Sequence, residues 1–177
     1  MNHTDSAQRL IRELQLQPHP EGGYYRETYR SVQAVSVEAG QRSASTAIYY
    51  LLQGGDYSAW HRIASDELWH FYAGSSLQIH VMDTQGCLVT HRLGNPLQDA
   101  AAVFQVVVPA GHWFAAELAE PVPHEAGHTP GARFALVGCT VAPGFEFSEF
   151  ELADTVDLSA RYPEHASLLR RLGSAEP

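Results

Sequence analysis

Nine short runs of strand-forming residues follow one another along the chain, with no helix-length segment between them. They are Tyr24–Arg30, Ser45–Leu52, Tyr57–Arg62, Glu67–Tyr72, Leu77–Asp83, Leu88–Leu93, Val103–Val108, His112–Glu117 and Phe134–Val141. Turn-forming residues such as Gly54-Gly55 and Pro109-Ala110-Gly111 separate them. Parallel strands need long crossover connections, so this order predicts an all-β sandwich or barrel of antiparallel strands.

Two segments with apolar residues at helical spacing flank the strands. The first predicts a short N-terminal helix, and the second, which follows Pro163, predicts a C-terminal helical tail at about residues 157–173. The apolar residues are Leu10, Ile11 and Leu14 in the first segment and Leu168, Leu169 and Leu172 in the second. Because 177 residues is the length of one domain, we predict a single domain over residues 1–177 with its core at about 10–152.

The charged residues exclude several classes of function. The sequence has eleven basic residues, none of them lysine, which excludes a lysine Schiff base and a P-loop. A formal net charge of −9 argues against nucleic-acid and anionic-membrane partners. Because the N-terminus lacks the pattern of a signal peptide and Cys87 and Cys139 form no CxxC pair, we expect a cytoplasmic protein with reduced thiols.

One pair of strands carries a histidine and a carboxylate that we expect to face each other. His61 lies at an alternate position from Tyr57 and Ile63, so the three side chains share one face of the predicted strand. A turn after this strand would return the chain with Glu67 on an inward face. An inward His and carboxylate suit general acid–base catalysis or metal binding. The alternative is a hydrogen-bonded core histidine beside a solvated glutamate.

The same region resembles the conserved motifs of the cupin superfamily. The first motif, G-x5-H-x-H-x3-E-x6-G, is matched at Gly55, His61, Glu67 and Gly74, and the second, P-x-G-x2-H, at Pro109 and Gly111. Longer segments resemble the fifth, largely uncharacterised cupin subfamily between about Leu10 and Leu152. They are LQPHPEGGYYRETYRS (16–31), STAIYYLL (45–52), WHRIASDELWHFYAG (60–74), VVPAG (107–111) and LVGCTVAPGFEF (136–147).

This resemblance implies a cupin jelly roll around a small-molecule cavity, and a homodimer. Cupins that bind a metal generally use three His and one Glu, but here Ile63 and Phe114 replace two of the histidines. We therefore expect no tight metal site and no other cofactor. If a divalent metal is bound, its ligands would be His61, Glu67 and His112. Metal-free epimerases of deoxythymidine-diphosphate sugars, a distant similarity, place a catalytic base at the position of His61.

Polar and aromatic residues predict where a ligand binds. In a strand that starts at Tyr24, Tyr24 and Arg26 share a face, so Tyr24 could stack on a ring and the arginines of that face could fork onto a carboxylate or phosphate. The alternative is an intersubunit strand whose charges pair with Glu21 or Glu27. The other predicted ligand-binding residues are Tyr57, Trp69, Phe71, His112 and Phe114.

Three functions remain open at this point. The first is an isomerase, epimerase or lyase acting on a sugar-like or carbonyl substrate, with His61 as base and Glu67 as its partner. The second is a non-catalytic protein that binds or senses a small molecule, and the third is a metal-dependent cupin enzyme. Residues 124–128 match H-E-x-x-H, but nearby Pro and Gly disfavour the helix that a metalloprotease needs. Glu146, Glu149 and Glu151 are typical of a solvated face.

Overall fold

The computed structural model describes residues 3–38, 40–121 and 133–174, in which three α-helices flank thirteen β-strands. The helices are α1 (His3–Glu13), α2 (Thr155–Arg161) and α3 (Ala166–Arg171). The strands are β1 (Gln17–Pro18), β2 (Tyr24–Arg30), β3 (Ala34–Val37), β4 (Gly40–Ser43), β5 (Thr46–Gln53), β6 (Tyr57–Arg62), β7 (Asp66–Gly74), β8 (Leu77–Met82), β9 (Leu88–Leu93), β10 (Gln105–Val108), β11 (Trp113–Leu118), β12 (Phe134–Ala142) and β13 (Glu151–Leu152).

The strands form two packed sheets and a separate hairpin. One sheet has six strands in the order β1-β2-β5-β12-β7-β10, and the other has five in the order β13-β6-β11-β8-β9. Strands β3 and β4 pair with each other. Neighbouring strands within the sheets run antiparallel, as the short connections predicted. The all-β jelly-roll prediction, with helices at both ends of the chain, is confirmed.

The main core lies between the two sheets. Side chains alternate along each strand, so each sheet directs one apolar face into this space. Trp69 of β7 and Phe114 of β11 are among its largest members, and both are essentially inaccessible to solvent. Their ring centroids lie 6.4 Å apart in an edge-to-face arrangement. This core fills one part of the space between the sheets, so any cavity must lie beyond these rings.

The helices cover the outer faces of the sheets. Helix α1 packs on β5 and β12 through Ala7 and its apolar neighbours. Leu158 of α2 and Leu169 of α3 pack on Trp60 of β6. Burying side chains of this size stabilises the fold by about 1.5–3 kcal/mol each.

The predicted helical tail is divided into two helices. Asp154 caps α2, because its carboxylate accepts hydrogen bonds from the backbone N–H groups of Val156 and Asp157. Pro163 then begins a short 3-10 turn that leads into α3. A proline inside one continuous helix would clash with the carbonyl four residues earlier, so the chain ends one helix and starts another. Within the described ranges, no helix is both long and apolar enough to cross a membrane.

Candidate functional site

A cavity of about 300 Å³ opens at one end of the sandwich, beyond the main core. Its walls come from both sheets and from residues 143–150, which follow β12 and which we name the cap segment. The polar lining consists of Gln17, His19, Glu21, Tyr25, Glu27, Arg30, Thr46, Tyr50, His61, Glu67, Cys139 and Glu146. The apolar lining consists of Ile48, Ile63, Val141, Phe145 and Phe147. Both His61 and Glu67 therefore face the cavity, as the sequence predicted.

His61 forms a buried pair with Glu21. Its Nε2 lies 3.0 Å from Oε2 of Glu21, and its Nδ1 lies 2.7 Å from the carbonyl oxygen of Ala59. A carbonyl oxygen only accepts, so Nδ1 carries the ring proton and Nε2 of the neutral ring has a lone pair. The short contact with Glu21 therefore requires one proton shared between the carboxyl and Nε2.

Burial favours the uncharged form of this pair. Desolvation lowers the pKa of His61 to about 4 and raises the pKa of Glu21 above its ordinary value. Both effects place the shared proton on the carboxyl oxygen and not on the imidazole. Glu21 and His61 together then hold one titratable proton at the wall of the cavity.

Two hydrogen bonds and the glycine that follows hold Glu21 in place. Its Oε1 accepts a hydrogen bond from the Ser58 hydroxyl at 2.9 Å, and its carbonyl oxygen accepts one from the backbone N–H of Ala59 at 2.8 Å. Gly22, the next residue, has φ +110, where L side chains are strained. A Cβ there would lie 2.2 Å from the carbonyl oxygen of Tyr57. The glycine therefore lets this segment approach β6 closely enough to place the carboxyl beside His61.

A β-bulge in β6 brings Ser58 and His61 to the same side. In the pairing with β11, Phe114 lies opposite His61 and Ala116 opposite Ser58, so β6 has one extra residue between them. Strict alternation would place these two side chains on opposite faces. The bulge instead directs both toward Glu21 and turns Tyr57 toward the C-terminal helices, where its hydroxyl donates to the carbonyl oxygen of Gly173.

Glu67 is a second buried acid on the cavity wall. Burial raises its pKa to about 8, and Glu21 adds to that shift when it is ionised. The thiol of Cys139, on the adjacent strand β12, hydrogen-bonds the Glu67 carboxyl. At neutral pH Glu67 is therefore protonated and can donate a hydrogen bond into the cavity. The predicted partnership of Glu67 with His61 is corrected, because the carboxyl that contacts the imidazole belongs to Glu21.

His19 adds a second imidazole to the lining. Its Nδ1 accepts from the backbone N–H of Glu21 at 3.2 Å, so its proton lies on Nε2. Its ring packs edge-to-face on Tyr25 with centroids 4.5 Å apart. Burial lowers the pKa of His19 and keeps the ring neutral. Because the contacts on Nδ1 fix the ring, its Nε2–H is a positioned donor.

A second β-bulge, in β2, decides which residues reach the mouth of the cavity. Glu27 pairs with Ile48 and Tyr29 with Ala47, so Thr28 is the extra residue. The inward face consequently carries Tyr25, Glu27 and Arg30. Tyr24 and Arg26, which were predicted to bind ligand, do not line this cavity. Tyr24 packs with the α1 cluster, and the Arg26 guanidinium lies 5.9 Å from the centroid of the Tyr49 ring.

The aromatic residues predicted to contact a ligand lie outside the cavity lining. Trp69, Phe71 and Phe114 belong to the main core, which ends where the cavity begins. Phe114 supports the site from behind, since its ring centroid lies 4.0 Å from that of His61. Tyr57 is on the other side of β6. These four predictions are corrected: strand parity identified the inward face of β7 and β11, but close packing of bulky rings leaves no space there for a ligand.

The structure also corrects the ligand set predicted for a divalent metal, namely His61, Glu67 and His112. His112 does not line the cavity, and its Nδ1 lies 3.2 Å from the carbonyl oxygen of Ala110. Where metal-binding cupins carry further histidines, Ile63 and Phe114 present hydrocarbon. Across the described parts of the chain, no cluster of three or more His, Cys, Asp or Glu has the geometry of a metal site. These donors do not fit a cupin metal centre, which needs three or four protein ligands.

The acidic residues near the end of the core each pair with an arginine, and the side chains of Glu146 and Glu151 are exposed, as predicted. Glu146 pairs with Arg30, Glu149 with Arg42 and Glu151 with Arg62. The first two pairs anchor the cap segment to β2 and β4. The sequence H-E-x-x-H at residues 124–128 lies outside the described residues.

Sequence reasoning singled out the Pro18–Ser31 segment but did not identify Glu21 as the partner of His61. The available signal was Gly22-Gly23 directly after an acidic residue, because glycine there permits a close approach of two backbones. Arg30 reaches the same face as Tyr25 and Glu27 only because of the bulge at Thr28, for which the sequence gives no clear pattern.

Comparison with known proteins agrees with this architecture. Residues 8–153 match the family described as Cupin superfamily (DUF985). A protein of known structure from Shewanella oneidensis, SO0799, is 37% identical with a TM-score of 0.83, and the match covers 99% of both chains. A hypothetical protein from Leishmania major is 34% identical with a TM-score of 0.83, over 96% of this chain and 99% of that one. The uncharacterized yeast protein YML079W is 29% identical over 81% of this chain and 73% of its own length.

More distant structures share the fold alone. Oxalate decarboxylase from Bacillus subtilis superposes with a TM-score of 0.52 at 15% identity, over 90% of this chain and 37% of that chain. The motif residues, the jelly roll and the full-length matches lead to one assignment. The chain is a member of the DUF985 family of the cupin superfamily.

Proposed function

We propose that the protein is a metal-independent isomerase or epimerase that moves a proton next to the carbonyl group of a small substrate. The observation that supports this most is the buried His61–Glu21 pair at the wall of the cavity. A single shared proton, held away from bulk water, is the arrangement that general acid–base catalysis requires. Glu67 supplies a second acid in the same cavity.

In the proposed step, the pair first loses its shared proton to solvent water and becomes a base. Nε2 of His61 then takes the proton from the carbon next to the carbonyl, and the C–H electron pair forms a carbon–carbon double bond. The carbonyl π electrons move to oxygen, and the protonated Glu67 donates a hydrogen bond to that developing oxyanion. After the enolate has turned in the cavity, the imidazolium, stabilised by the Glu21 carboxylate, returns the proton to the other face of the same carbon, which gives the epimer. Alternatively it returns the proton to the former carbonyl carbon, while Glu67 protonates the oxyanion and accepts the proton of the neighbouring hydroxyl, which gives the isomer.

The donor chemistry supports a mechanism without a resident metal. Ile63 lines the cavity at a position where metal-binding cupins carry a ligand, and Phe114 occupies another such position in the packed core. Stabilisation of the oxyanion therefore falls to Glu67 and to the Nε2–H of His19. Both are neutral hydrogen-bond donors at neutral pH in this arrangement.

Deuterium exchange tests this proposal before the natural substrate is known. Uncharged aldoses, ketoses and α-hydroxyketones would be incubated with the protein in D2O, and loss of the α-C–H signal would be followed by proton NMR. We expect enzyme-dependent exchange for members of this set, reduced about a hundredfold or more in His61→Ala and in Glu21→Gln. His91→Ala, on strand β9 away from the cavity, is the matched control and retains the exchange rate.

The same experiment separates the proposal from a purely binding role. A cavity that binds these compounds but produces no exchange would contradict catalysis and favour a non-catalytic binding or sensing protein. Exchange that persists in His61→Ala would assign the base to another residue. Either result overturns the proposal.

A further inference from the structure

We propose that the cavity selects an uncharged ligand and discriminates against carboxylates and phosphates. This inference takes its site from the proposed function but makes a separate claim, namely the charge class of the ligand. It starts from the arginine at the mouth and the acids around it.

Arg30 is the only arginine among the described residues that line the cavity, and the chain contains no lysine. Its Nε and Nη2 donate to the two carboxylate oxygens of Glu27 at 3.1 and 2.8 Å. Nη1 donates to Glu146 at 2.8 Å, and Nη2 also donates to the carbonyl oxygen of Phe145 at 3.0 Å. Every nitrogen of this guanidinium is thus engaged by the protein itself.

The charge at the mouth is consequently negative. Two carboxylates, Glu27 and Glu146, face one guanidinium, which leaves an excess of one negative charge where a ligand must pass. An anionic ligand would meet this excess and would have to displace Glu27 or Glu146 to reach Arg30. The expectation that an arginine of β2 forks onto a carboxylate or phosphate of the ligand is replaced by this internal pairing.

The interior offers hydrogen bonds to an uncharged ligand instead. Glu67 donates when protonated, and His19 presents its Nε2–H. Ile48, Ile63 and Phe147 supply the apolar surface. These groups fit a compound that combines hydroxyl or carbonyl oxygens with a ring or an apolar side, and they provide no unpaired cation for an anion.

Two ring compounds of matched shape test the charge preference, namely benzamide (uncharged) and benzoate (anionic). The chain has four isoleucines, of which Ile48 and Ile63 line the cavity while Ile11 and Ile79 do not. Methyl NMR of isoleucine-labelled protein therefore reports binding at this site directly. We expect benzamide to shift the Ile48 and Ile63 signals and leave Ile11 and Ile79 unchanged, with benzoate binding about tenfold more weakly.

Variants at the mouth identify the cause of the preference. The double variant Glu27→Gln with Glu146→Gln releases Arg30 from its carboxylates and should make benzoate the tighter ligand. The control is Glu13→Gln, which removes one negative charge from an exposed position of α1 and should keep the preference for benzamide. Methyl spectra of all variants report whether the fold is intact.

Three results would overturn the inference. They are equal or tighter binding of benzoate by the unmodified protein, no benzamide shift at Ile48 and Ile63, and tighter binding of benzylamine than of benzamide, which would indicate a cationic ligand. Because binding is read out without turnover, a failure here is distinguishable from a failure of the exchange assay. Exchange without the charge preference would retain the proposed function and reject this inference.

Discussion

At the scale of single residues, the site depends on two acids whose pKa the fold raises. Glu21 and Glu67 are both buried, and desolvation raises the pKa of each. The same burial lowers the pKa of His61. A proton-transfer site needs this combination, because the acid and the base are then both neutral before a substrate arrives.

The pH dependence of exchange follows from these shifts. Exchange should rise as the His61–Glu21 pair loses its shared proton, at a pH above the ordinary value of 4.5 for a glutamate. It should fall again near pH 8 as Glu67 loses its proton. The measurement is the exchange rate as a function of pH in the unmodified protein and in Glu67→Gln. The glutamine keeps a hydrogen-bond donor that does not titrate, so the fall in rate near pH 8 should disappear in that variant. A profile that rises steadily through pH 9 in the unmodified protein would contradict the role of Glu67.

The two cysteines should differ in reactivity. Cys87 is exposed, whereas Cys139 is buried beside Glu67, and burial raises the pKa of the Cys139 thiol. A thiol reagent added to the native protein should therefore modify Cys87 and leave Cys139 unmodified until the protein unfolds. Peptide mass spectrometry after labelling identifies the site, and Cys87→Ser should abolish native-state labelling. Rapid labelling of Cys139 in the folded protein would argue against a buried thiol.

At the scale of elements, two β-bulges decide which side chains enter the cavity. The bulge in β6 aligns Ser58 with His61, and the bulge in β2 directs Arg30 inward. Seven-residue β2 and six-residue β6 have the ends that the sequence predicted. The residues that face the cavity are harder to predict than the strand ends. One extra residue in a strand reverses the inward and outward alternation of every residue beyond it. This is why Tyr24, Arg26 and Tyr57 were assigned to the wrong face while His61 and Glu67 were assigned correctly.

A glycine tests the positioning of Glu21. Gly22→Ala adds a Cβ at a positive φ and against the Tyr57 carbonyl oxygen, so it should destabilise the protein by about 1–3 kcal/mol. It should also reduce exchange, because Glu21 would shift from His61. Gly55→Ala is the matched control: a Cβ there meets open space, and we expect a change within about 0.5 kcal/mol. Chemical unfolding gives both values, and equal stability of the two variants would contradict this role of Gly22.

At the scale of the whole molecule, the jelly roll could be predicted because its information is spread over many residues. Two signals recur along the chain, namely turns and alternating apolar positions such as Leu77 and Ile79 in β8. They predict two antiparallel sheets even if any one residue is assigned to the wrong face. The cavity depends instead on where packing stops, which Trp69 and Phe114 set jointly from different sheets. No local pattern contains that information. The homodimer expected from the family resemblance stays a prediction, which sedimentation velocity would measure.

Buried acids also make the stability of the molecule depend on pH. The pKa of Glu67 is raised in the folded state, so the unfolded chain releases this proton first as the pH rises. The Glu67 contribution to the free energy of unfolding should therefore fall between about pH 4.5 and pH 8, by about 1 kcal/mol per pH unit. Glu67→Gln removes this contribution, so the free energy of unfolding measured with urea should change less with pH in that variant. An unchanged slope in that variant would show that Glu67 is not the group responsible.

The most direct test of the account is nitrogen-15 NMR of the His61 ring. The buried pair with Glu21 predicts a neutral ring at pH 7 with its proton on Nδ1, bonded to Ala59, and no protonation of the ring until about pH 4. Glu21→Gln should perturb the Nε2 resonance while leaving that of His91 unchanged. A His61 ring that titrates near pH 6.5, like a solvated histidine, and ignores the change at Glu21 would contradict the account.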